Sequence, residues 1–396
     1  MKLKMEISEK DIGREFKHFL KLTGKENWVS KINRFNARPK LSELDIVGEY
    51  LAAKNPLLGA IIQYLDLEKR GQVIWRHRTP EILRAAGYVF LLNRLCRENK
   101  IGLKRVRGLL LDDDKVKPFL FEIDIAAHFL RQGYNVIFAD LEGIGQYDLL
   151  IQGDHELEVE CKRKSADAGR KVTRHDFYFL SDILFSELRH VKGHYLVSLT
   201  ATDRLVPHEI VIRKLAKGIR SALTANALEG SIDEFRFTIE LLPVSIAIRT
   251  SQEATVELSK YSTGSEHFTV LHNQEATFII RCGSMQKDDV LTAIYDTLKG
   301  ASRQFSGTRA GLIPCFIEDV NEHDWSSLQQ ASGLTGITNK LFDSPDRQHV
   351  QFVTFSSDHR QIREAYNAVS FGATNLTFEN TNARYPVPRA FIRMKK

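Results

Sequence analysis

Cysteine is scarce in this chain, and its placement argues against two common classes of small domain. The four cysteines among 396 residues are widely separated and form no C-x-x-C pair. We therefore expect neither a zinc module nor a disulfide framework, and we expect a reducing, cytoplasmic setting. No apolar run approaches the ~20 residues of a membrane span. The N-terminus lacks the apolar core of a signal peptide, so we expect no membrane partner.

Several signatures of nucleotide chemistry and acyl transfer are also missing. The chain contains no G-x-x-x-x-G-K-[ST] loop, which argues against a helicase or ATPase motor. It has no G-x-S-x-G elbow of the kind that carries a nucleophilic serine in hydrolases. Gly143-Ile144-Gly145 leads into a predicted strand and not into a helix, so it does not resemble a dinucleotide-binding fingerprint.

Positive charge is in excess and is unevenly distributed. The net charge is +6, yet residues 1–116 contain 24 lysines and arginines against 15 aspartates and glutamates. The surplus concentrates in residues 69–107, where the only acids are Glu81 and Glu98. The bases of this basic stretch are Lys69, Arg70, Arg76, Arg78, Arg84, Arg94, Arg97, Lys100, Lys104, Arg105 and Arg107. Such a stretch favours a nucleic-acid partner, with DNA preferred, and a solvated basic face is the alternative.

Apolar periodicity predicts an α/β protein in three regions. Residues 1–116 read as mostly helical, because apolar residues recur at three- and four-residue spacing. A polar break at residues 112–115 marks a boundary, and we predict domains at 1–116, 117–205 and 206–396. The last of these alternates strand and helix patterns, so we expect a C-terminal α/β region that contacts DNA, a partner protein or a second subunit.

The central region predicts a compact order of one helix, three strands, a helix and a strand. The first helix ends at Gly133, a residue favoured just past a helix C-terminus. Apolar runs and alternation predict the strands, and a stripe of leucines predicts the second helix. The predicted elements span residues 118–133, 135–140, 147–152, 157–164, 174–191 and 194–199.

Three carboxylates and one lysine lie on the first predicted helix and on the second and third predicted strands. Asp148 opens the second strand, and Glu160 and Lys162 lie two apart on the third, so they share one face. Glu122 comes from the preceding helix. If the second and third strands pair as a hairpin, Asp148 and Glu160 can meet at one hard cation, and Glu122 can complete the shell directly or through water. The lysine can stabilise developing charge or orient the attacking water.

This pattern resembles the PD-(D/E)xK nuclease superfamily, over residues 118–200 or so. The resemblance implies a restriction-endonuclease-like αβββαβ core with Asp148, Glu160, Lys162 and Glu122 as the catalytic set. It implies Mg²⁺ as the cofactor, with Mn²⁺ as a substitute, held by Asp148, Glu160 and Glu122. Tyr147 stands where the superfamily name has proline, a position that varies.

We therefore expect a metal-dependent nuclease that hydrolyses phosphodiester bonds, in defence, restriction or repair. The cations expected to contact nucleic acid are Arg163, Lys164, Arg174, Arg97, Lys104 and Arg105. Three alternatives stay open: an inactive nuclease-fold protein that binds DNA or assembles complexes, a nuclease for RNA, and a plain surface cluster of acids balanced by Arg163 and Lys164.

Overall fold

The chain folds as a mixed α/β protein with two mixed sheets. The structure, a computed structural model, describes residues 8–77, 79–97, 102–242, 266–272, 276–320, 322–330, 333–364 and 368–392. The chain divides into two compact units. Unit 1 comprises Met1–Arg38, Ala52–Ser165 and Ala293–Lys396, and unit 2 comprises Pro39–Leu51 and Ala166–Thr292. None of the helices in the described ranges combines the length and apolar character needed to cross a membrane.

The predicted helical N-terminal region is confirmed. Buried apolar residues recur along its helices, as in the first one, where Phe16, Phe19 and Leu20 face inward. The fifth begins at Pro80, and proline is favoured at the first position of a helix. The α-helices among the described residues of this region are α1 (Ile12–Thr23), α2 (Lys25–Asn36), α3 (Ile46–Lys54), α4 (Pro56–Lys69), α5 (Pro80–Arg97) and α6 (Leu103–Leu111).

Strands and helices alternate through the rest of the chain. The elements up to residue 241 are α7 (Val116–Gln132), β1 (Asn135–Phe138), α8 (Ala139–Glu142), β2 (Leu149–Gln152), β3 (Glu156–Val159), β4 (Lys162–Ser165), α9 (Arg174–Leu188), β5 (Gly193–Ala201), α10 (Glu209–Thr224), β6 (Glu229–Ile232) and β7 (Phe235–Leu241). The later elements are β8 (His267–His272), β9 (Ala276–Ser284), α11 (Val290–Ser302), β10 (Ala310–Glu318), α12 (Glu322–Gln329), α13 (Leu334–Phe342), β11 (Val350–Glu364) and β12 (Ala368–Glu379).

The motif strands belong to a sheet of unit 1 in the order β1-β2-β3-β10-β11-β12, with β4 also paired to β10. β1, β2 and β3 form an antiparallel meander, whereas β10 runs parallel to β3, β4 and β11. The strand predicted at 194–199 does not complete this sheet. It is β5, which pairs with β7 and β9 in the sheet of unit 2. Which strands β5 pairs with depends on residues far away along the chain. Local alternation therefore predicted that β5 is a strand, but not which strands lie beside it.

The predicted strand 157–164 is interrupted at Glu160 and Cys161, because β3 ends at Val159 and β4 begins at Lys162. Val159 pairs with Leu312 and Lys162 pairs with Cys315, so the register is unchanged across the gap. The same register places Pro314 opposite Cys161. Proline has no backbone N–H, so the ladder loses a hydrogen bond there. This loss explains why β3 and β4 are separate strands.

One apolar core holds this sheet under α7. The helix buries Phe119, Ile123 and Phe129 in a cluster that also contains Val159 and Leu312. The helix ends where Gly133, with φ +93°, donates its N–H to carbonyls of the last turn. The core therefore sets the position of α7 over β3 and β10, and with it the position of Glu122.

Glu158 links β3 to the segment that leads into β10. Its side chain is completely buried, and it accepts hydrogen bonds from the Ser306 backbone N–H (2.8 Å) and hydroxyl (2.5 Å). The Arg309 guanidinium donates to it at 3.2 Å and to Glu156 at 2.5 Å. Glu158 is thus a buried structural carboxylate, neither exposed to solvent nor free to bind a metal.

We predict that Glu158→Gln lowers the free energy of unfolding by about 2–3 kcal/mol, because the change removes charge-assisted hydrogen bonds from a buried site. Glu156→Gln is the matched control, since Glu156 is an exposed partner of the same arginine. It should change stability by only about 0.5 kcal/mol. Chemical denaturation of both variants measures the difference, and equal effects would contradict the linking role of Glu158.

Candidate active site

The candidate site forms where the C-terminal ends of β1 and β3 meet the N-terminal end of β2. Asp148 directly precedes β2 and is held from both sides. Its backbone carbonyl accepts the Ala139 N–H at 2.8 Å, and its carboxylate Oδ2 accepts the Cys161 N–H at 2.6 Å. The side chain thus continues the ladder beyond the end of the hairpin, and its position is set by both neighbouring strands.

Glu160 occupies the interruption between β3 and β4. Its side chain is 1% exposed, and one carboxylate oxygen accepts a short hydrogen bond from Lys162 Nζ. The other oxygen, Oε2, is buried without a hydrogen-bond partner. A buried carboxylate oxygen without a donor is costly, because burial removes its water. The structure therefore brings Asp148, Glu160 and Lys162 together, as their sequence positions predict.

Glu122 reaches the same group of charges from α7. Burial raises the pKa of Glu122 well above its usual value, and the negative charges of Asp148, Asp140 and Glu160 raise it further. Burial and then the Glu160 charge raise the pKa of Asp148 to about 8. These acids repel one another within a poorly solvated site.

Lys162 partly offsets that repulsion. Burial acts to lower the pKa of Lys162, but the charges of Glu160 and Asp148 outweigh it, and its pKa is raised overall. Burial also raises the pKa of Glu160, although Lys162 beside it acts in the opposite direction. Lys162 is therefore a firmly charged ammonium, and the site still holds more acids than bases.

Asp140 is a further acid of this group that the sequence analysis did not single out. It lies in α8, directly after β1, and burial raises its pKa. Arg105 donates to its carbonyl at 2.6 Å and to its Oδ2 at 2.8 Å. Its Oδ1 is buried without a hydrogen-bond partner. The only signal in the sequence is a carboxylate at the end of an apolar strand, a position also occupied by many solvated aspartates.

The donor chemistry of the site suits a hard cation that keeps much of its water. Within the described ranges, no three His, Cys, Asp or Glu side chains are placed to ligate one metal ion. The predicted set of Asp148, Glu160 and Glu122 is thus close but not assembled as a cage. Mg²⁺ commonly binds one or two carboxylates, with water and substrate oxygens as its other ligands. The unpartnered oxygens of Glu160 and Asp140 fit such an ion.

Three of the predicted nucleic-acid contacts lie after the motif, and the Arg163 guanidinium is engaged within the protein. Arg163 is 15% exposed, stacks on the Phe316 ring at 4.4 Å and donates to Glu318 at 2.5 Å. Lys164, also on β4, is half-buried. Arg174 lies in unit 2 at the start of α9, where its backbone N–H donates to Asp167 at 2.7 Å.

The cations of the basic stretch that are predicted to contact nucleic acid differ in whether their side chains are already bound within the protein. Lys104 is exposed on α6, next to Arg105, which is bound to Asp140. Arg97, at the end of α5, is half-exposed and 3.8 Å from Glu15. Arg78 and Lys100 lie outside the described residues. A guanidinium already bound to a carboxylate is less available to a phosphate, so Lys104 is the freest of these three cations.

Comparison of the chain with protein families, with curated proteins and with solved structures finds no match. The chemistry of the site must therefore be inferred from the side chains described above.

We predict that Asp148→Asn stabilises the metal-free protein at neutral pH. The folded state keeps the Asp148 proton up to about pH 8, whereas the unfolded chain loses it near pH 4, so wild-type stability falls between these values. Removing the titration should raise the free energy of unfolding by about 1–3 kcal/mol at pH 8, and by less at pH 5.

Denaturation in the presence of EDTA at both pH values measures the effect. Asp154→Asn, in the exposed β2–β3 turn, is the control and should change stability by only about 0.5 kcal/mol. A wild-type stability that does not fall between pH 5 and pH 8 would contradict the expected cost of burying Asp148.

Proposed function

We propose that the protein is a metal-dependent nuclease that hydrolyses phosphodiester bonds, with DNA as the preferred substrate. The observation that carries the proposal is the convergence of Asp148, Glu160, Lys162 and Glu122 at one end of the meander. Two buried carboxylates with raised pKa values stand beside a charged amine and an oxygen without a donor. Such an arrangement costs stability, which favours a functional origin.

The order of elements in unit 1 supports a restriction-endonuclease-like core. α7, β1, β2 and β3 with β4 supply one helix and three antiparallel strands. In chain order, α11 and β10 then supply the second helix and the parallel strand. Most of unit 2, Ala166–Thr292, lies between these two parts of the sequence. Without this insertion, the order α7, β1, β2, β3 with β4, α11 and β10 is compatible with an αβββαβ core that carries the short α8 between β1 and β2, and the order is not continuous over 117–205.

Asp148 and Glu160 would hold Mg²⁺, and Mn²⁺ would substitute for it. When bound, the ion lowers the pKa of a coordinated water and offsets negative charge on the phosphodiester. Binding would also favour the ionised form of Asp148, so a proton is released and affinity should rise from pH 6 to pH 8. The unpartnered Glu160 oxygen is the strongest sign of a missing electropositive partner.

The remaining residues have distinct tasks in this proposal. Lys162, oriented by Glu160, would donate a hydrogen bond to the substrate oxygen that gains charge in the transition state. Burial and the charges of the neighbouring acids raise the pKa of Glu122, which favours its protonated form, and in that form it can donate a proton to the leaving oxygen. Asp140 adds a second unpartnered oxygen, and Arg105 acts as a positioning residue that holds it.

The basic N-terminal region would supply affinity through the phosphate backbone, because its charge surplus is greatest there. Oligomerisation or a protein partner of the C-terminal region stays a prediction. RNA is the alternative substrate, and cleavage of DNA and RNA distinguishes the two.

We predict that Lys162→Ala lowers kcat about 10²- to 10³-fold, because a preorganised donor to the transition state is lost. Lys162→Arg should restore part of the activity, since the charge returns in a different shape. Cleavage of single- and double-stranded DNA and RNA in the presence of Mg²⁺ provides the measurement. Lys214→Ala, an exposed lysine of unit 2, is the control. If wild type and Lys162→Ala cleave alike, or neither cleaves, the protein is not the proposed nuclease and a non-catalytic DNA-binding role takes its place.

Two neighbouring residues of α6 should affect different properties. Arg105→Gln frees Asp140 and should raise the Mg²⁺ concentration for half-maximal cleavage roughly tenfold, as loss of a residue that orients a metal ligand does. Lys104→Gln should leave that concentration unchanged and reduce the slope of log K against log salt by about 1. Mg²⁺ titrations of cleavage and binding measurements at several salt concentrations distinguish the two effects. If Arg105→Gln instead reduces the salt slope and leaves the Mg²⁺ requirement unchanged, Arg105 contacts the phosphate backbone and does not position Asp140.

A further inference from the structure

The short strand β4, which begins at Lys162, is held by one neighbouring strand. Among the described residues, β10 is the strand that pairs with it, over Cys315 to Glu318. The strand has four residues and is paired on one side, so its ladder contains few hydrogen bonds. The proposed role of the Lys162 ammonium requires a fixed position. A further contact that holds β4 would therefore act on the candidate site.

Arg163 lies on the face of the sheet that α7 covers. It is paired with Phe316 of β10, and its guanidinium lies over that ring at 4.4 Å. The Phe316 ring in turn packs on Phe121 of α7, with centroids 5.7 Å apart. Successive side chains of a strand alternate between the two faces, so Lys162 lies on the opposite face. A fixed Arg163 therefore holds the backbone from which Lys162 extends.

Two ion pairs run beside this stack of rings. Arg163 Nε donates to one oxygen of Glu318 at 2.5 Å, and Lys117 Nζ donates to the other at 2.9 Å. Phe316 and Glu318 are two apart on β10 and share a face. Lys117 and Phe121 are four apart on α7 and share a side of that helix. These five residues, which we call the Arg163 link, thus connect β4, β10 and α7.

The charged members of the Arg163 link are partly shielded from water. The exposed side-chain fractions are 15% for Arg163, 16% for Glu318 and 25% for Lys117. Such ion pairs are screened less than those on an open surface, and removal of one partner leaves the other charge poorly compensated. A phosphate would have to displace Glu318 from the guanidinium. The contacts of Arg163 therefore fit a structural role better than the predicted nucleic-acid contact.

Each end of the Arg163 link adjoins a residue of the candidate site. Arg163 follows Lys162 on β4, and Phe121 precedes Glu122 on α7. The charge of Glu160 acts on both Lys162 and Glu122. The separation of these two groups depends on how α7 is fixed to β4, which is what the Arg163 link determines.

We infer that Arg163 is a positioning residue, which sets the places of Lys162 and Glu122 through its contacts with β10 and α7. The inference rests on the proposed function, and it replaces the expectation that Arg163 contacts nucleic acid. A displacement of about 1 Å at a catalytic group can cost roughly 100-fold in rate. Loss of the Arg163 link should therefore lower kcat and leave the affinity for nucleic acid unchanged.

Arg163→Gln tests this role through cleavage with Mg²⁺ and through binding in EDTA. We expect kcat to fall about 10- to 100-fold, while the Kd for an oligonucleotide and its salt slope stay unchanged. Arg163→Lys keeps the charge without the planar stack and should recover part of kcat. Glu318→Gln should lower kcat to a similar extent, and the double variant no further, because both changes break the same ion pair. Arg213→Gln, at an exposed ion-paired arginine of unit 2, is the control and should keep the wild-type kcat.

Hydrogen exchange tests the Arg163 link without cleavage. In Arg163→Gln, the amides of residues 162–165 and 116–124 should exchange about tenfold faster than in wild type, whereas those of α10 should not change. Weaker binding, a smaller salt slope or an unchanged kcat in Arg163→Gln overturns the inference, and so does faster exchange in only one of the two segments. An inactive wild type would end the nuclease proposal, while exchange would still decide whether Arg163 connects β4 to α7.

Discussion

The site depends on one hydrogen bond, from the Cys161 backbone N–H to the Asp148 carboxylate, at 2.6 Å. A backbone donor of the interrupted strand is satisfied there by a side chain from the neighbouring strand. The interruption itself follows from Pro314, which cannot donate to the ladder from β10. A proline some 150 residues after the motif thus helps to leave Glu160 and Cys161 outside regular pairing, where their groups can serve another purpose.

The same arrangement makes the site a source of instability. Asp148 and Glu122 have raised pKa values because they are buried beside other acids, and Glu160 keeps an oxygen without a donor. A fold selected for stability alone would replace such acids by apolar or amide side chains. The stability is recovered elsewhere, as at Glu158, where the surrounding donors fully satisfy a buried carboxylate of the same strand.

Local pattern predicted the elements well and their assembly poorly. The helix that ends just before Gly133 and the strand within 147–152 follow directly from capping chemistry and from the apolar run. The partners of β5 and β10 do not, because pairing over 83 residues (Gly193 with Ala276) or 153 residues (Leu157 with Ala310) leaves no trace in either strand alone. Asp148, Glu160 and Lys162 could be found from spacing on adjacent strands, whereas Asp140 could not, because its role depends on Arg105 from a distant helix.

Charge counting has a similar limit. The net positive charge of the basic stretch predicts a polyanion partner. The net charge does not show which of its cations are available to bind that partner. Arg105 is bound to Asp140, and Arg163, outside the stretch, is bound to Glu318 and packed on Phe316. Arginine's planar fork favours such fixed contacts, while the exposed ammonium of Lys104 has fewer constraints. Affinity for a phosphate backbone should therefore come from the exposed lysines of the N-terminal helices, and the ion-paired arginines should shape the site.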